Sequence, residues 1–318
     1  MNKILVALFT LLVLHAPAHA ADKIRIGFGD LAAPFLSLPL GEKRGFFREE
    51  GLQAEFIRVN PTVALAALVS GELDYYTIIP PAVTAAIRGV PVKVVACYVP
   101  RTPVALIARG EFKSVHELRN KAIGLNTFGG ALETIARLMF KHFRLDPDKE
   151  IKFVATGPIE NRFAVMSQGL TAATLSAPPS DFLGRKMGFV VLARADELFS
   201  YPVNSLLASM RKIRERSAEV KRVIKAGIKA DRYIHQNRDG TIQVIAEWLK
   251  VEKEMAVATH DSVSTAFNDD GSVSEDGLRL VIEEVKRAIK VDRQVSVSEV
   301  ADLSILKDAQ RELGITAR

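Results

Sequence analysis

The chain has 318 residues, of which 48% are hydrophobic and 25% charged, with one cysteine and a formal net charge of +6. At roughly 150 residues per domain, this length predicts about two domains with buried cores, and the composition excludes a disordered, collagen-like or low-complexity chain. A single cysteine excludes an internal disulfide framework and any metal site built from several cysteines.

The N-terminus has the pattern of a secretory signal peptide. Lys3 precedes an uncharged run of eleven residues, Ile4 to Leu14, and the small residues Ala18 and Ala20 then occupy the positions that a signal peptidase recognises. The run is shorter than the ~20 apolar residues that span a bilayer. The pattern predicts a signal peptide over residues 1–20 and an exported protein. With no cysteine near the cleavage site, a lipid anchor is not expected.

Residues 22–97 alternate strand-like and helix-like segments, which predicts a mainly parallel, doubly wound sheet. A loop containing Pro34 and Pro39 is expected before a helix end at 45–51. The predicted strands are 23–28, 53–59, 75–79 and 92–97, and the predicted helices are 61–69 and 81–88.

The alternation then restarts, and it ends in a helical tail. Ser114 to Glu117 has the spacing of a capping box that opens a short helix. From about residue 210 the chain is almost wholly helical, with long segments near 213–236, 240–250 and 274–290. The predicted strands of this second unit are 104–108, 122–125, 151–154, 171–176 and 189–193, and its helices are 130–143, 160–168 and 179–186.

The two α/β units resemble each other. In the stretches Gly71 to Pro81 and Gly169 to Pro179, about 98 residues apart, a glycine ends a helix, a short strand follows, and a Pro-Pro pair opens the next helix. An internal repeat explains this similarity, and so does the chance recurrence of common turn residues.

No catalytic motif stands out. Gly27 to Ala32 matches the dinucleotide pattern G-x-G-x-x-A, but Pro34 and Phe35 disfavour a helix that starts inside it. The four histidines outside the signal segment fall in or beside helices, and Cys97 ends an apolar strand as a small hydrophobe would. We therefore expect no enzyme, no cofactor and no metal.

The positive charge is concentrated in residues 211–232, which hold nine Lys or Arg and three acidic residues. Lys221, Lys225 and Lys229 form one stripe of a predicted helix. A solvated helix face fits this pattern, and so does a docking surface for a partner protein or an anionic membrane. Aromatic residues that would stack on bases are missing, so no nucleic-acid partner is expected.

Loops at the carboxyl ends of parallel strands are where open α/β sheets bind ligands. In this sequence they are 29–35 and 77–80 in the first unit, and 126–130, 156–158 and 176–178 in the second. The loop 126–130 separates a strand from a helix, and its free N–H groups and two glycines form either an anion site or an ordinary capped turn. If the two units face each other, all five loops converge on one cleft.

An ordered set of segments resembles a known family, the periplasmic solute-binding proteins of ABC transporters in the nitrate/sulfonate/taurine group, also called SsuA/THI5-like or NMT1-like. The resemblance covers residues 22 to about 200. Gln168-Gly-Leu-Thr-Ala172 departs from the family's usual Gly-x-Val-Asp-Ala, and the cysteine-rich segment of the pyrimidine-synthesising enzymes is absent. The similar segments are Gly45 to Leu52 (GFFREEGL), Leu68 to Asp74 (LVSGELD), Arg88 to Val95 (RGVPVKVV) and Glu117 to Gly124 (ELRNKAIG).

The resemblance implies a type II periplasmic binding protein fold: two doubly wound α/β lobes joined by two hinge crossovers, with a helical C-terminal tail. It implies a first lobe made of residues 21–100 and 204–318 and a second lobe made of residues 101–203. The chain would be a monomeric periplasmic protein that captures a small anionic, aromatic or heterocyclic molecule of the sulfonate, nitrate, carboxylate or pyrimidine type. It would deliver this molecule to an ABC permease and its ATPase, and touch the membrane only through the permease. An exported sensory module and an enzyme of the THI5-like branch are the alternatives.

The candidate ligand contacts lie in the five loops and at the crossovers. Backbone N–H groups at 127, 129 and 130 are expected to donate to an anionic group. Phe35 and Phe128 are expected to form apolar walls, and Arg101 is either a neutraliser of ligand charge or a surface residue of the hinge. The full candidate set is Asp30, Leu31, Pro34, Phe35, Thr77, Ile78, Pro80, Arg101, Asn126, Thr127, Phe128, Gly129, Gly130, Thr156, Ser176, Ala177 and Asn204.

Overall fold

The computed structural model describes residues 21–29, 31–128 and 130–316, so the predicted signal peptide and the candidates Asp30 and Gly129 lie outside the described residues. The strands are β1 (Asp22–Phe28), β2 (Leu52–Arg58), β3 (Tyr75–Ile78), β4 (Val92–Val99), β5 (Ala105–Ala108), β6 (Ala122–Leu125), β7 (Lys152–Ala155), β8 (Ala173–Ser176), β9 (Val190–Arg194) and β10 (Asn204–Ser209). The helices are α1 (Ser37–Lys43), α2 (Phe46–Glu49), α3 (Pro61–Ser70), α4 (Ile79–Ile87), α5 (Ala131–His142), α6 (Ile159–Ser167), α7 (Ser180–Lys186), α8 (Ala195–Leu198), α9 (Met210–Glu215), α10 (Ser217–Gln236), α11 (Arg238–Leu249), α12 (Lys253–Val263), α13 (Glu275–Ile289), α14 (Val297–Val300) and α15 (Ser304–Glu312).

The strands form two five-stranded sheets of the same order, β2-β1-β3-β10-β4 in the first lobe and β7-β6-β8-β5-β9 in the second. β1 is parallel to β2 and β3, and β6 is parallel to β7 and β8. β10 and β5 are antiparallel to both of their neighbours. The predicted fold of two doubly wound α/β lobes is confirmed, with one antiparallel strand in each sheet.

Each antiparallel strand is the first strand after the chain changes sheet. β4 ends at Val99 and β5 begins at Ala105, and β9 ends at Arg194 before β10 begins at Asn204. The two crossovers are tied together, because the Thr102 hydroxyl donates to the carbonyl of Tyr201 at 2.8 Å. The division of the chain at 100/101 and 203/204 stays a prediction.

The sequence did not predict β10 as a strand. All six of its residues are buried, because it lies between β3 and β4 and is covered on both faces. A strand buried on both faces lacks the alternation of polar and apolar residues that identifies a half-exposed strand.

Two local predictions are wrong. The expected loop around Pro34 and Pro39 is instead a 3-10 turn followed by α1, and Pro39 lies in the first turn of α1, where a missing N–H costs no intrahelical hydrogen bond. Ser114 does not form the expected capping box. Its hydroxyl donates to the Glu117 carboxylate at 3.2 Å, and the segment that follows is a 3-10 turn.

The helical tail packs mainly on the first lobe, where α10 contacts α1, α2 and β4, and α13 contacts α4. The expected helix at 213–236 is two helices, α9 and α10, which meet at Arg216. α12 reaches the second lobe, where Lys186 of α7 pairs with Glu254 at 2.9 Å. Among the described residues, no helix combines the length and the apolarity that crossing a bilayer needs.

The basic stripe on α10 is neutralised by acids of the same chain. Because these acids lie on α15 and at the C-terminal end of α2, the ion pairs fasten α10 to its neighbours, which favours the interpretation as a helix face over a docking surface. The pairs are Lys221–Glu312 (2.5 Å), Lys225–Glu50 (2.9 Å), Lys229–Glu50 (2.8 Å) and Lys229–Glu49 (2.9 Å).

Gly227 allows the ring of Tyr98 to touch α10. A β-carbon at position 227 would lie 2.3 Å from Cζ of Tyr98, well inside van der Waals contact. Replacing a helical glycine with alanine usually stabilises a protein by about 1 kcal/mol. We expect Gly227→Ala to lower the free energy of unfolding by about 1–3 kcal/mol instead, because the buried ring must move.

Urea denaturation measures this effect, and a double-mutant cycle isolates its cause. In a Tyr98→Leu background, which lacks the outer part of the ring, the alanine at 227 should no longer destabilise the protein. A gain in stability from Gly227→Ala in the wild-type background would contradict the contact.

Candidate functional site

The carboxyl ends of the parallel strands in both sheets lie on the side of the two crossovers. β4 ends where the first crossover leaves the first lobe, and β5, antiparallel to β8, begins where that crossover enters the second lobe. The loops that follow β1, β3, β6, β7 and β8 therefore lie at the edges of the sheets that a ligand would approach.

A narrow cavity, here called the first-lobe cavity, lies at this edge of the first sheet. Four of the predicted contact residues, Pro34, Phe35, Thr77 and Asn204, line it. The Thr77 hydroxyl donates to the carbonyl of Gly27 at 3.2 Å and so bridges β1 and β3. The complete lining is Phe28, Pro34, Phe35, Ser37, Leu38, Pro39, Phe56, Thr77, Tyr98, Asn204 and Ser205.

Four lining side chains each bury a polar atom that has no hydrogen-bond partner of ordinary geometry among the described residues, although Ser37 lies near Asp231 and Ser205 near Cys97. An unpaired buried polar group costs about 1–3 kcal/mol, and native proteins hold few of them. Their concentration around one cavity is typical of a site whose partner comes from outside the chain. The atoms are Ser37 Oγ, Tyr98 OH, Asn204 Oδ1 and Ser205 Oγ.

Asp231 of α10 lies beside the first-lobe cavity and is fully buried. Neither of its carboxylate oxygens has a hydrogen-bond partner of ordinary geometry among the described residues. Burial raises the pKa of this carboxyl well above its usual value, and the nearby Ser37 hydroxyl lowers it only in part. Burial first, and then the proximity of Asp231, raise the pKa of Tyr98.

The predicted contacts of the second lobe lie on the loops after β6, β7 and β8. Phe128 is 55% exposed, and Asn126 and Thr127 are exposed beside it. Gly130 is the N-cap residue of α5 and, as a glycine, supplies no side-chain cap to the first N–H groups of this helix.

The other two loops of the second lobe hold their polar side chains close to the backbone. The Thr156 hydroxyl donates to the carbonyl of Leu125 at 3.4 Å. The hydroxyl of Ser176, which is buried, donates to the carbonyl of Ala177, also at 3.4 Å.

The remaining candidates are spread around these two groups. Ile78 packs over Gly29, whose added β-carbon would lie 2.5 Å from Ile78 Cδ1. Pro80 is half-buried and Leu31 is exposed. Arg101 belongs to neither group. It lines a separate, larger cavity and donates to the carbonyl of Asp196 at 3.3 Å.

This larger cavity, of about 790 Å³, lies between the second lobe and α12. Its charged side chains are largely paired with one another or with neighbours. Arg194 pairs with Asp181 at 2.9 Å, and Asp261 pairs with Arg238 at 2.9 Å. Part of the charge in this cavity is therefore engaged within the chain, while the buried Asp196 Oδ1 has no hydrogen-bond partner among the described residues.

Arg162 of α6 is a buried cation that the sequence analysis missed. It is 5% exposed, and no carboxylate pairs with it among the described residues. Its guanidinium donates to the carbonyl of Leu175 and to the Thr174 hydroxyl, so it lies at the carboxyl end of β8, while its Nε has no partner. Burial lowers the pKa of Arg162 to about 10, which leaves it charged at neutral pH.

A signal in the sequence could have identified both missed charges. Asp231 continues the helical stripe of Val220, Ile224 and Gly227, and Arg162 lies three residues after Ile159 on α6. A charged residue on the apolar stripe of an amphipathic helix faces the interior, where it needs a partner.

Cys97 does not have the properties of a nucleophile. Burial raises the pKa of its thiol to about 12, so the reactive thiolate does not form at neutral pH. Across residues 21–29, 31–128 and 130–316, no three His, Cys, Asp or Glu side chains are grouped as they would be around a metal ion.

Comparison with known proteins identifies the relatives of this chain. A model of the family described as "NMT1/THI5 like" matches residues 34–240, whereas no curated protein sequence matches significantly. The periplasmic sulfonate-binding protein SsuA from Methylobacillus flagellatus KT is 16% identical, with a TM-score of 0.75 over 94% of this chain and 96% of its own. SsuA from Escherichia coli is 16% identical, with a TM-score of 0.71 over 88% and 92%. The nitrate-binding protein NrtA from Synechocystis PCC 6803 is 12% identical, with a TM-score of 0.69 over 92% and 89%.

Proposed function

The chain belongs to the NMT1/THI5-like family, and from this membership we propose that it is a periplasmic solute-binding protein that captures a small molecule between its two lobes for import by an ABC permease and its ATPase. One observation carries the proposal. The two sheets share one strand order and are joined by two short crossovers, with the carboxyl ends of their parallel strands on the crossover side. Such a pair of lobes can close on a ligand that contacts both of them.

The mechanism follows from contact with two lobes. A solute that touches only one lobe binds the open and closed states equally and does not change their populations. A solute that touches both lobes stabilises the closed state by the energy of the added contacts. The first-lobe cavity and the region of Arg162 and the loop 126–130 are the two half-sites. The permease would then recognise the closed form.

The solute is proposed to carry an anionic group. A buried guanidinium without a carboxylate partner binds a sulfonate, carboxylate or nitrate through two parallel hydrogen bonds. The uncapped start of α5 at Gly130 adds N–H donors from the same lobe. The aromatic lining of the first-lobe cavity supports an aromatic or heterocyclic part of the solute.

We propose a binding protein rather than an enzyme, exported as a monomer and in contact with the membrane only through its permease. The buried Cys97 thiol supports this choice, because it removes the one cysteine as a nucleophile. An enzyme would convert its ligand on incubation, whereas a binding protein returns it unchanged.

The test is native mass spectrometry of the purified full chain, followed by titration with alkanesulfonates, nitrate, aromatic carboxylates and pyrimidines. Small-angle scattering should show a decrease in the radius of gyration when a solute binds, and extraction should recover that solute intact. If no member of the panel binds or compacts the protein, the proposed function is wrong. Conversion of the solute would point to the enzyme alternative.

A further inference from the structure

We propose that the first-lobe cavity binds a cationic nitrogen group, an amine or an amidine, at one end of the solute. The inference rests on the proposed function, since it assigns the cavity to part of the imported molecule. It concerns a different group from the anion assigned to Arg162, and it depends on different residues.

With Asp231 ionised, the polar atoms at and behind the cavity have a surplus of hydrogen-bond acceptors, whereas the protonated carboxyl would itself donate one hydrogen. Asn204 Oδ1 can only accept, and the two oxygens of an ionised Asp231 can only accept. Ser37 and Tyr98 each carry one hydroxyl hydrogen, and Asp231 is the acid close to both of them. When these hydroxyls turn their hydrogens towards the carboxylate, their lone pairs face the cavity. The complementary ligand group is therefore a donor.

The aromatic lining favours a cation over a neutral donor. Phe28, Phe35, Phe56 and Tyr98 surround the cavity, and the face of an aromatic ring attracts an ammonium or guanidinium-type group. Asp231 lies behind the lining residues Ser37 and Tyr98, outside the lining itself, and adds the opposite charge once it is ionised. The narrow cavity admits the head group, and the rest of the solute would extend towards the second lobe.

The proposal includes a proton transfer. Where the Asp231 carboxyl is protonated, the ligand enters as R–NH₃⁺, the carboxyl loses its proton to solvent, and R–NH₃⁺ remains beside the carboxylate, so binding to that form releases one proton. The titratable groups that face Asp231 from other elements are Tyr98 and Cys97 of β4 and Asp269. On its own helix, Arg232 donates to the carbonyl of Asp269, and His235 bonds to the carbonyl of Phe267.

The test uses the full chain with two probes of the same shape, benzylammonium and benzyl alcohol, titrated by calorimetry at pH 7.5. Benzylammonium should bind at least tenfold more tightly. Repeating the titration in buffers of different ionisation enthalpy should show a net release of protons on binding. Equal binding of the two probes, or no binding of either, overturns the inference and leaves the cavity as a water site.

Variants separate this inference from the proposed function. Asp231→Asn should weaken benzylammonium at least tenfold, whereas Asp239→Asn, which alters an exposed carboxylate at the start of α11, should change it less than twofold. Neither variant should change the affinity for benzenesulfonate, which probes the second lobe. If anions bind but Asp231→Asn does not change the affinity for benzylammonium, the cation site is wrong and the proposed function stands. If no solute of either kind binds the wild-type protein, the proposed function fails.

Discussion

Replacing Arg162 with glutamine is expected to weaken the binding of anionic solutes by about 30-fold to several thousand-fold. Removing one partner of a buried, hydrogen-bonded charge pair costs about 2–5 kcal/mol, and each 1.4 kcal/mol is about tenfold in affinity. The large effect follows from the burial of the guanidinium, since a surface arginine would contribute only about 0–1 kcal/mol. Calorimetric titration with benzenesulfonate or another anion that binds the wild-type protein measures the loss.

Two further variants show whether this loss comes from the missing guanidinium. Arg162→Lys keeps the charge but not the planar pair of donors, so its affinity should fall between those of wild type and Arg162→Gln. Arg144→Gln alters an exposed arginine at the end of α5 and should bind like wild type. Because Arg162 also bonds to the Leu175 carbonyl, circular dichroism must show that each variant is folded. Retained affinity in Arg162→Gln, with loss in Arg185→Gln, would move the anion site to the larger cavity.

Asp231→Asn is expected to make the protein progressively more stable than wild type as the pH rises. In the folded protein the pKa of this carboxyl is well above its ordinary value of 3.8. Between these two pKa values the folded protein binds a proton that the unfolded chain does not. The stability of the wild type therefore falls by about 1.4 kcal/mol per pH unit, from about pH 4 up to the pKa of the folded state. Asparagine does not titrate and lacks this loss, so the difference between variant and wild type should grow with pH until the pH passes the pKa of the folded carboxyl.

Urea unfolding of both proteins at pH 5, 6.5 and 8 gives the difference directly. Asp239→Asn is the matched control, because it removes an exposed carboxylate at the start of the next helix, and its difference from wild type should change with pH by less than about 0.5 kcal/mol. A difference for Asp231→Asn that is constant with pH would mean that the carboxylate is already ionised in the folded protein.

The sequence predicted most of the helices and strands because their signals are local. β6 was predicted with its observed bounds, and α5 and α13 to within one residue at each end, since each has apolar residues at the period of its own element. The repeat seen between Gly71–Pro81 and Gly169–Pro179 agrees with the equal strand orders of the two sheets. The errors came where neighbours override local preference, as for β10, which is covered on both faces, and for Pro39, which is tolerated in the first turn of α1.

The site residues also fall into two groups, those that chain order predicts and those that only the packing reveals. Pro34, Phe35, Thr77 and Asn204 could be predicted because they follow or begin strands at the carboxyl edge of a sheet, which is a property of chain order. Asp231 lies more than a hundred residues beyond Ser37 and Tyr98, the cavity residues close to it, in a helix whose lysines indicated a solvent-exposed face. Only the packing of α10 against β4, with Gly227 against Tyr98, carries this carboxyl into the interior.

The sequence by itself therefore determined the class of the protein: two α/β units with a helical tail, an expected export signal, and loops that mark one edge of each sheet. The tertiary structure decided which polar atoms lack partners. Burial and hydrogen bonding depend on residues distant in the chain, and an unpaired charge becomes costly only where the fold removes water from it. That is why Arg162 and Asp231, two ordinary charges in the sequence, are the groups on which the proposed chemistry of this protein depends.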